Sequence, residues 1–251
     1  MTFVNKNKIL GILITKQSKK DILEKIKKYF INPNGFLHIV SLNPENIIMA
    51  QEDKNFKKVI EAAQIKIIDG IGVVIAGRIL KIELERIAGV DLMLELIKIA
   101  SQERLRLLLI GGKPNLANSL ANCYQNQSPQ AYFKGIYGIK DIKNPQKKEE
   151  QEIFSIVADF KPHIVLVAFG SPDQELWLYR HRDQFKNCLC MGVGGAFDYL
   201  SGSIIRAPGF LRKIGLEWLF RLLKQPWRWR RQLRLIKFLW LVVKQKLGII
   251  E

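Results

Sequence analysis

The sequence predicts an α/β fold: a Rossmann-like, mostly parallel sheet with helices on both faces, plus a helical, basic C-terminal appendage. Three observations predict it. Short runs rich in Ile, Leu and Val alternate with helical patterns over residues 1–202, the order that yields a parallel sheet covered on both sides. Each run ends in glycine or polar residues, as at Asp69-Gly-Ile-Gly72. Beyond Ser203 no strand pattern is left, and the chain turns basic and aromatic, with breaks at Pro208 and Pro226.

The elements follow in order. Ile9–Ile14 reads as a strand and Lys19–Phe30 as a helix, with Asn32-Pro-Asn-Gly35 as a turn. Phe36–Val40 is the next strand. Pro44 suits the first turn of the helix that follows, and a further helix spans about 55–63. Ile65–Ile68 is a short buried strand, and Asp69 and Gly70 stop it. A helical pattern covers Val73–Leu80, and Glu85–Ser101 is a longer helix with one apolar side. Leu105–Ile110 is a continuous apolar strand before Gly111-Gly-Lys-Pro114 and a helix over Asn115–Tyr124. Ala131–Tyr137 is a further strand, and the polar stretch Lys140–Glu150 runs into a helix ending near Phe160. His163–Phe169 and Asn187–Val193 are the last strands, with a helix to about Arg182 between them.

The totals exclude several classes. A chain of 251 residues with 48% apolar and 25% charged residues is globular and long enough for a packed core. Its net charge is +17; residues 203–251 hold 12 Lys and Arg against 2 Asp and Glu, a net +10, and four of the five tryptophans. Basic plus aromatic points to an anionic surface, lipid headgroups or nucleic acid. The cysteines, Cys123, Cys188 and Cys190, are odd in number and lack metal-ligand spacing, which fits a reducing compartment. The apolar run Ile9–Thr15 is too short to span a bilayer and lacks a small-residue cleavage site, so no signal peptide is expected. Leu233–Leu247 is broken by Arg234, Lys237, Lys244 and Lys246 and is not expected to span a bilayer either.

In an open α/β sheet, ligands bind at the carboxyl ends of the strands. Functional residues are therefore expected at Ser41–Glu45, Asp69–Gly72, Gly111–Pro114, Gly170–Glu175 and Gly192–Asp198. Asp69 reads two ways. It can take a proton from a substrate hydroxyl, or it can cap the next helix, and on position alone the cap is the simpler reading. Gly111-Gly112 and Gly192-x-Gly194-Gly195 suit phosphate approach or plain turns. Gln174 and Glu175 open a helix facing the cleft; Glu175 suits the helix dipole, whereas Gln174 is less well explained by it. Arg86, near a helix start, gains nothing from the dipole and reads as a surface ion pair with Glu83 or as an anion ligand. The isolated histidines His38, His163 and His181, with no Asp-x-Asp, recommend no metal site.

Ser41-x-Asn-Pro-Glu45, Asp69-Gly-Ile-Gly72, Glu85-Arg86, Gly170-x-Pro-x-Gln-Glu175, Gly192-Val-Gly-Gly-x-Phe-Asp198, Arg206-Ala-Pro208 and Gly215-Leu-Glu-Trp-Leu-x-Arg-Leu-Leu223 together resemble one family. It is the WecG/TagA/CpsF glycosyltransferases, and the likeness runs from about residue 8 to 240. The resemblance implies an inverting, metal-independent transfer of an N-acetylmannosamine-type sugar from a UDP donor. The acceptor it implies is a polyprenyl-diphosphate-linked N-acetylglucosamine at the inner face of the plasma membrane, in cell-surface polysaccharide synthesis. It places the base on Asp69 and further catalytic roles on Arg86, Gln174 and Ser41. The family usually has Thr where Ser41 stands, and Gln225 stands where Glu is common. Substrate binding falls on Asn43, Gly70, Gly111, Gly112, Gly170, Gly192, Gly194, Gly195 and Asp198, and the diphosphate on Arg221, Arg228 and Arg231.

The expected organisation is thus a catalytic domain, 1–202, and a membrane-associating appendage, 203–251. The expected partners are a UDP-sugar, a lipid-linked acceptor and the membrane surface, without nucleic acid, cofactor or metal; a homo-oligomer stays open. Two rivals are weighed. A nicotinamide-dependent oxidoreductase would want the full Gly-x-Gly-x-x-Gly fingerprint, which neither glycine turn supplies. A nucleic-acid-binding protein could use the basic tail but would not need Asp69 or Gln174.

Overall fold

The computed structural model describes residues 7–213, 215–226 and 229–250, without the side chains of Lys213, Arg230 and Arg231. The chain opens with an antiparallel hairpin, β1 (Lys8–Ile9) and β2 (Ile12–Leu13). A single strand over Ile9–Ile14 is therefore corrected. Leu10 and Gly11 form a two-residue loop with φ of 47° and 72°, the left-handed pair that reverses a hairpin.

Six parallel strands follow: β3 (Leu37–Leu42), β4 (Ile65–Ile68), β5 (Arg106–Gly111), β6 (Tyr132–Ile136), β7 (Ile164–Ala168) and β8 (Leu189–Gly192). They lie in the order β4-β3-β8-β7-β5-β6, with every pairing parallel. The helices are α1 (Lys19–Ile31), α2 (Pro44–Glu52), α3 (Lys54–Ala62), α4 (Ile71–Ile79), α5 (Gly89–Gln102) and α6 (Leu116–Gln127). They continue as α7 (Lys147–Phe160), α8 (Asp173–Arg180), α9 (Phe197–Leu200), α10 (Gly209–Lys213), α11 (Glu217–Lys224) and α12 (Trp229–Lys246).

Strand alternation explains why both faces are apolar. Ile39, Leu107, Leu109, Ile164, Leu166, Leu189 and Met191 join one core with α1, α5 and α6. On the other face, Val40, Leu42 and Ile68 pack with the hairpin, α2, α3 and α4, and Leu108, Ile110, Val165 and Val167 pack with α7 and α8. The α/β fold expected from the sequence is the fold observed.

Two elements differ from expectation in ways that shape the site. The helix read over Glu85–Ser101 begins at Gly89, and residues 82–88 run without helix. The Ile87 N–H reaches the Ile68 carbonyl at 2.9 Å, so this stretch is held beside the end of β4 and cannot coil. The second is α12. Phe238 and Val242 are fully buried in the core of α2, α3 and α4, and each such side chain contributes about 1.5–3 kcal/mol. Arg234 pairs with Glu45 at 2.7 Å and Lys237 with Glu52 at 2.6 Å. Gln245 accepts from the Leu10 N–H and donates to the Lys8 carbonyl, tying the last helix to the opening hairpin. Among the described residues, no helix is long and apolar enough to cross a membrane.

Candidate active site

A cavity of about 230 Å³ opens at the carboxyl end of β3 and β4 and is roofed by the C-terminal segment. Its wall includes Asn43, Asp69, Gly70, Arg86, Tyr199, Arg206, Glu217, Trp218 and Arg221. β4 delivers Asp69 to it. The Asp69 N–H bonds the Leu42 carbonyl at 2.8 Å, which carries the sheet pairing one residue past the strand.

Asp69 is not a helix cap. The residue before α4 is Gly70, with φ of 136° and no side-chain cap bond. The Asp69 carboxylate instead faces Gly89 at the start of α5. Burial raises its pKa from 3.8 to about 6; the Gly89 N–H and the Arg86 charge oppose the rise, and the Glu217 and Asp91 charges add to it. A carboxyl tuned near neutrality suits a general base better than a cap. Ser41 lies close by: a Cβ on Gly89 would stand 3.1 Å from Asp69 Oδ2 and 3.2 Å from Ser41 Oγ. Asn43 is on the wall and also caps α2, its Oδ1 accepting from the Asn46 N–H at 2.8 Å.

Arg86 comes from the extended stretch before α5, not from a helix start. Its Nη1 donates to the Arg212 carbonyl at 2.7 Å, and its Nη2 lies 3.3 Å from Glu217 Oε2. The expected surface pair with Glu83 is thus replaced by contacts to the C-terminal segment. Arg221, on α11, stacks over the Tyr199 ring with Cζ 4.8 Å from its centre. Its Nη2 would be 3.3 Å from a Cβ on Gly195, and Asp198 Oδ2 3.7 Å. Asp198 also pairs with Lys113 at 3.0 Å, so Gly195, Asp198 and Arg221 form one cluster. Arg228 and the side chain of Arg231 lie outside the described residues.

Gln174 is placed differently from a sugar-orienting side chain. It is buried and does not line the cavity. Its Oε1 accepts from the N–H groups of Gly170 (3.1 Å) and Gly194 (3.0 Å), and its Nε2 donates to Glu175 at 2.7 Å. Gln174 thereby joins the turn after β7 to the turn after β8. Glu175 is buried too, held by the Ser171 hydroxyl, and burial raises its pKa to about 7. A Cβ on Gly192 would strike Gln174 Nε2 at 2.5 Å, so this glycine serves close packing.

The Gly111-Gly112 turn has packing reasons as well, whereas a Cβ on Gly170 or Gly194 would meet nothing within 4 Å. Gly111 and Gly112 have φ of 95° and 83°, and a Cβ on Gly111 would come 2.9 Å from the Phe169 ring. Gly111, Gly112, Gly170, Gly192 and Gly194 do not line the cavity, whereas Gly70 does. Among the described residues, no group of three or more His, Cys, Asp or Glu could hold a metal ion. Sequence reasoning passed over Gly89, Tyr199, Arg206 and Glu217 as site residues. Arg206 and Glu217 fall within quoted motifs, but their charges meet Arg86 and Asp91 only through the fold.

A ligand cavity at the carboxyl edge of a parallel sheet, walled by a near-neutral carboxyl and several arginines, is the layout of a Rossmann-like α/β enzyme. The chain belongs to the glycosyl transferase WecG/TagA/CpsF family, whose model matches residues 7–250. Curated relatives carry the name N-acetylglucosaminyldiphosphoundecaprenol N-acetyl-beta-D-mannosaminyltransferase. That of Bacillus subtilis (strain 168) is 29% identical over 225 residues, 89% of this chain and 86% of the relative. That of Bacillus spizizenii is 33% identical over 219 residues, 86% of this chain and 82% of the relative. That of Staphylococcus aureus (strain MW2) is 32% identical over 225 residues, 89% and 85%. The protein is thus a glycosyltransferase, and the oxidoreductase and nucleic-acid readings are set aside.

Proposed function

We propose that the protein transfers an N-acetylmannosamine-type sugar from a UDP donor to a polyprenyl-diphosphate-linked N-acetylglucosamine, with inversion and without a metal. The observation that carries this reading is Asp69, with its raised pKa, in one cavity with Arg86 and Arg221. The names of the relatives support the sugar and the acceptor.

In this reading the acceptor hydroxyl gives its proton to Asp69 as its oxygen bonds the anomeric carbon. The bond from that carbon to the diphosphate oxygen breaks on the opposite face, and UDP leaves. Arg86 and Arg221 stabilise the charge that builds on the diphosphate. Arg228 and Arg231 keep the same assignment by resemblance. Ser41 and Asn43 orient the sugar. Gln174 acts at one remove, by fixing the turns that carry Gly170 and Gly194. Gly195 and Asp198, beside Arg221, belong to the donor side.

Residues 1–202 serve as the catalytic domain, and 203–251 close the site and meet the inner face of the plasma membrane. The outer side of α12 supports that placement. Trp229, Leu233, Ile236, Trp240, Val243 and Leu247 are exposed at alternating spacings of four and three, opposite buried Phe238 and Val242. Such a stripe, flanked by lysines and arginines, suits a bilayer surface.

Release of UDP and the mass of the lipid product, measured with a panel of UDP-sugars and a short-chain lipid-linked acceptor, test the proposal. Turnover with UDP-N-acetylmannosamine is the expected result. Turnover only with another donor, or only with a non-lipid acceptor, overturns it.

A further inference from the structure

Glu217 stands in the first turn of α11 and faces two arginines, Arg206 from 11 residues before it and Arg86 from 131 residues before it. Its Oε2 lies 3.3 Å from Arg86 Nη2, and its Oε1 lies 3.1 Å from Arg206 Nε. Arg206 is in turn held by Asp91 at 2.6 Å. The side chains of Glu217, Arg206 and Arg86 are 16%, 18% and 22% exposed. Removing one partner of so enclosed a bridge leaves charge without compensation, unlike loss of a surface pair.

The bridge matters because of what α11 lacks. None of its described residues is buried, and Leu219 and Leu223 point outward. Among the described residues, no apolar side chain of α11 joins the cores that flank the sheet. Polar contacts hold the helix: Glu217 at its start, and Arg221 stacked on Tyr199 one turn later. The same bridge sets Arg86. With Nη1 on the Arg212 carbonyl and Nη2 on Glu217, the guanidinium is aligned from both ends, and its buried Nε makes no hydrogen bond within the described chain. Glu217, Arg86 and Asp69 line one cavity. Without Glu217, Arg86 would stand beside Asp69 with no other carboxylate bonded to it, free to turn toward the base.

We propose that Glu217 is a positioning residue for the transfer reaction: it seats α11 over the cavity and aligns Arg86, and it acts through Arg86 rather than on the substrate. This rests on the proposed function only in taking the cavity as the place where the donor diphosphate leaves. A mere structural tie would behave otherwise. It would change stability and donor affinity together and would not depend on Arg86.

The test is a double-mutant cycle with Glu217→Gln and Arg86→Ala on the full chain, read by kcat and donor KM with a soluble acceptor analogue. Hydrogen exchange of residues 217–224 is followed in parallel. In the wild-type background, Glu217→Gln lowers kcat about 10- to 100-fold, the scale of a small misplacement of a catalytic group. Donor KM changes by less than about threefold, and α11 amides exchange faster. In the Arg86→Ala background the same change costs at least about threefold less, because one of the two groups it places is gone while Arg221 on α11 is still displaced. Equal losses in both backgrounds, an unchanged kcat, or unchanged exchange in α11 overturns the proposal. If the wild type turns over no N-acetylmannosamine donor, the donor assignment fails. The exchange measurement, which needs no substrate, then decides the seat by itself.

Discussion

Gly89, at the start of α5, lies against the Asp69 carboxylate, and little space is left between them for a side chain. A Cβ on Gly89 would stand 3.1 Å from Asp69 Oδ2. The contact explains why the helix that begins here begins with glycine. Gly89→Ala should still fold, because Gly89 opens α5 and the two oxygens facing its Cβ need yield only slightly. Its crowding of Asp69 and Ser41 should slow turnover about 10-fold. Melting temperature and kcat, measured on the same preparation, check both halves.

Asp69→Asn keeps the shape and removes the proton acceptor. Turnover should fall about 10²- to 10⁴-fold, the range for a general base. In the wild type, kcat/KM should fall as pH drops through about 6, because Asp69 works deprotonated and burial holds its pKa there. The effect on stability has the opposite sense. The folded chain keeps a proton that the unfolded chain releases near pH 4, so this group disfavours folding increasingly as pH rises from about 4 to 6. Asp69→Asn should therefore be no less stable than wild type at pH 7. Chemical denaturation at pH 5 and pH 7, with a pH–rate profile, tests the assignment.

Gln174→Ala should act on stability first. It strands the N–H groups of Gly170 and Gly194 and leaves Glu175 Oε1 without the Nε2 donor. The cost should be about 2–4 kcal/mol, read as a lower urea midpoint at unchanged slope. A variant of wild-type stability that is only catalytically impaired would return Gln174 to a direct sugar-orienting role.

The two sides of α12 should separate experimentally. Phe238→Ala, on the buried side, should cost about 3–5 kcal/mol. Ile236→Glu, on the exposed side, should leave stability nearly unchanged and weaken flotation with anionic liposomes. Replacing Lys244 and Lys246 should also weaken flotation, by about 1 kcal/mol each, and spare turnover of a soluble acceptor analogue. Arg221→Ala, at the cavity wall, should depress that soluble turnover.

Activity should persist in EDTA, since the arginines carry the charge that a divalent ion would otherwise neutralise. Loss of UDP release in chelator, restored by Mg²⁺ or Mn²⁺, would refute metal independence.

By itself the sequence determined the alternation of strands and helices, because apolar periodicity and glycine stops are local signals. Ile65–Ile68 is a strand with the bounds its residues suggest, and Asp69 follows it at the ligand edge of the sheet. Arg86 and Arg221 were legible too, through motif resemblance, and the fold brings both to the cavity. Only tertiary structure decided the rest. Residues 82–88 have helix-forming side chains, yet the bond from Ile87 to Ile68 draws them along β4. Asp69 follows a strand and precedes a helix, but its partner is Gly89, supplied by the next helix rather than its own. In α12 the apolar residues ring the helix, and nothing in their order tells Phe238 from Ile236; the surface of α2 and α4 makes that choice. Glu217 and Arg86 are 131 residues apart. Attraction between opposite charges carries no mark in sequence of which partner it will find, because the distance that sets its strength exists only after the chain has folded.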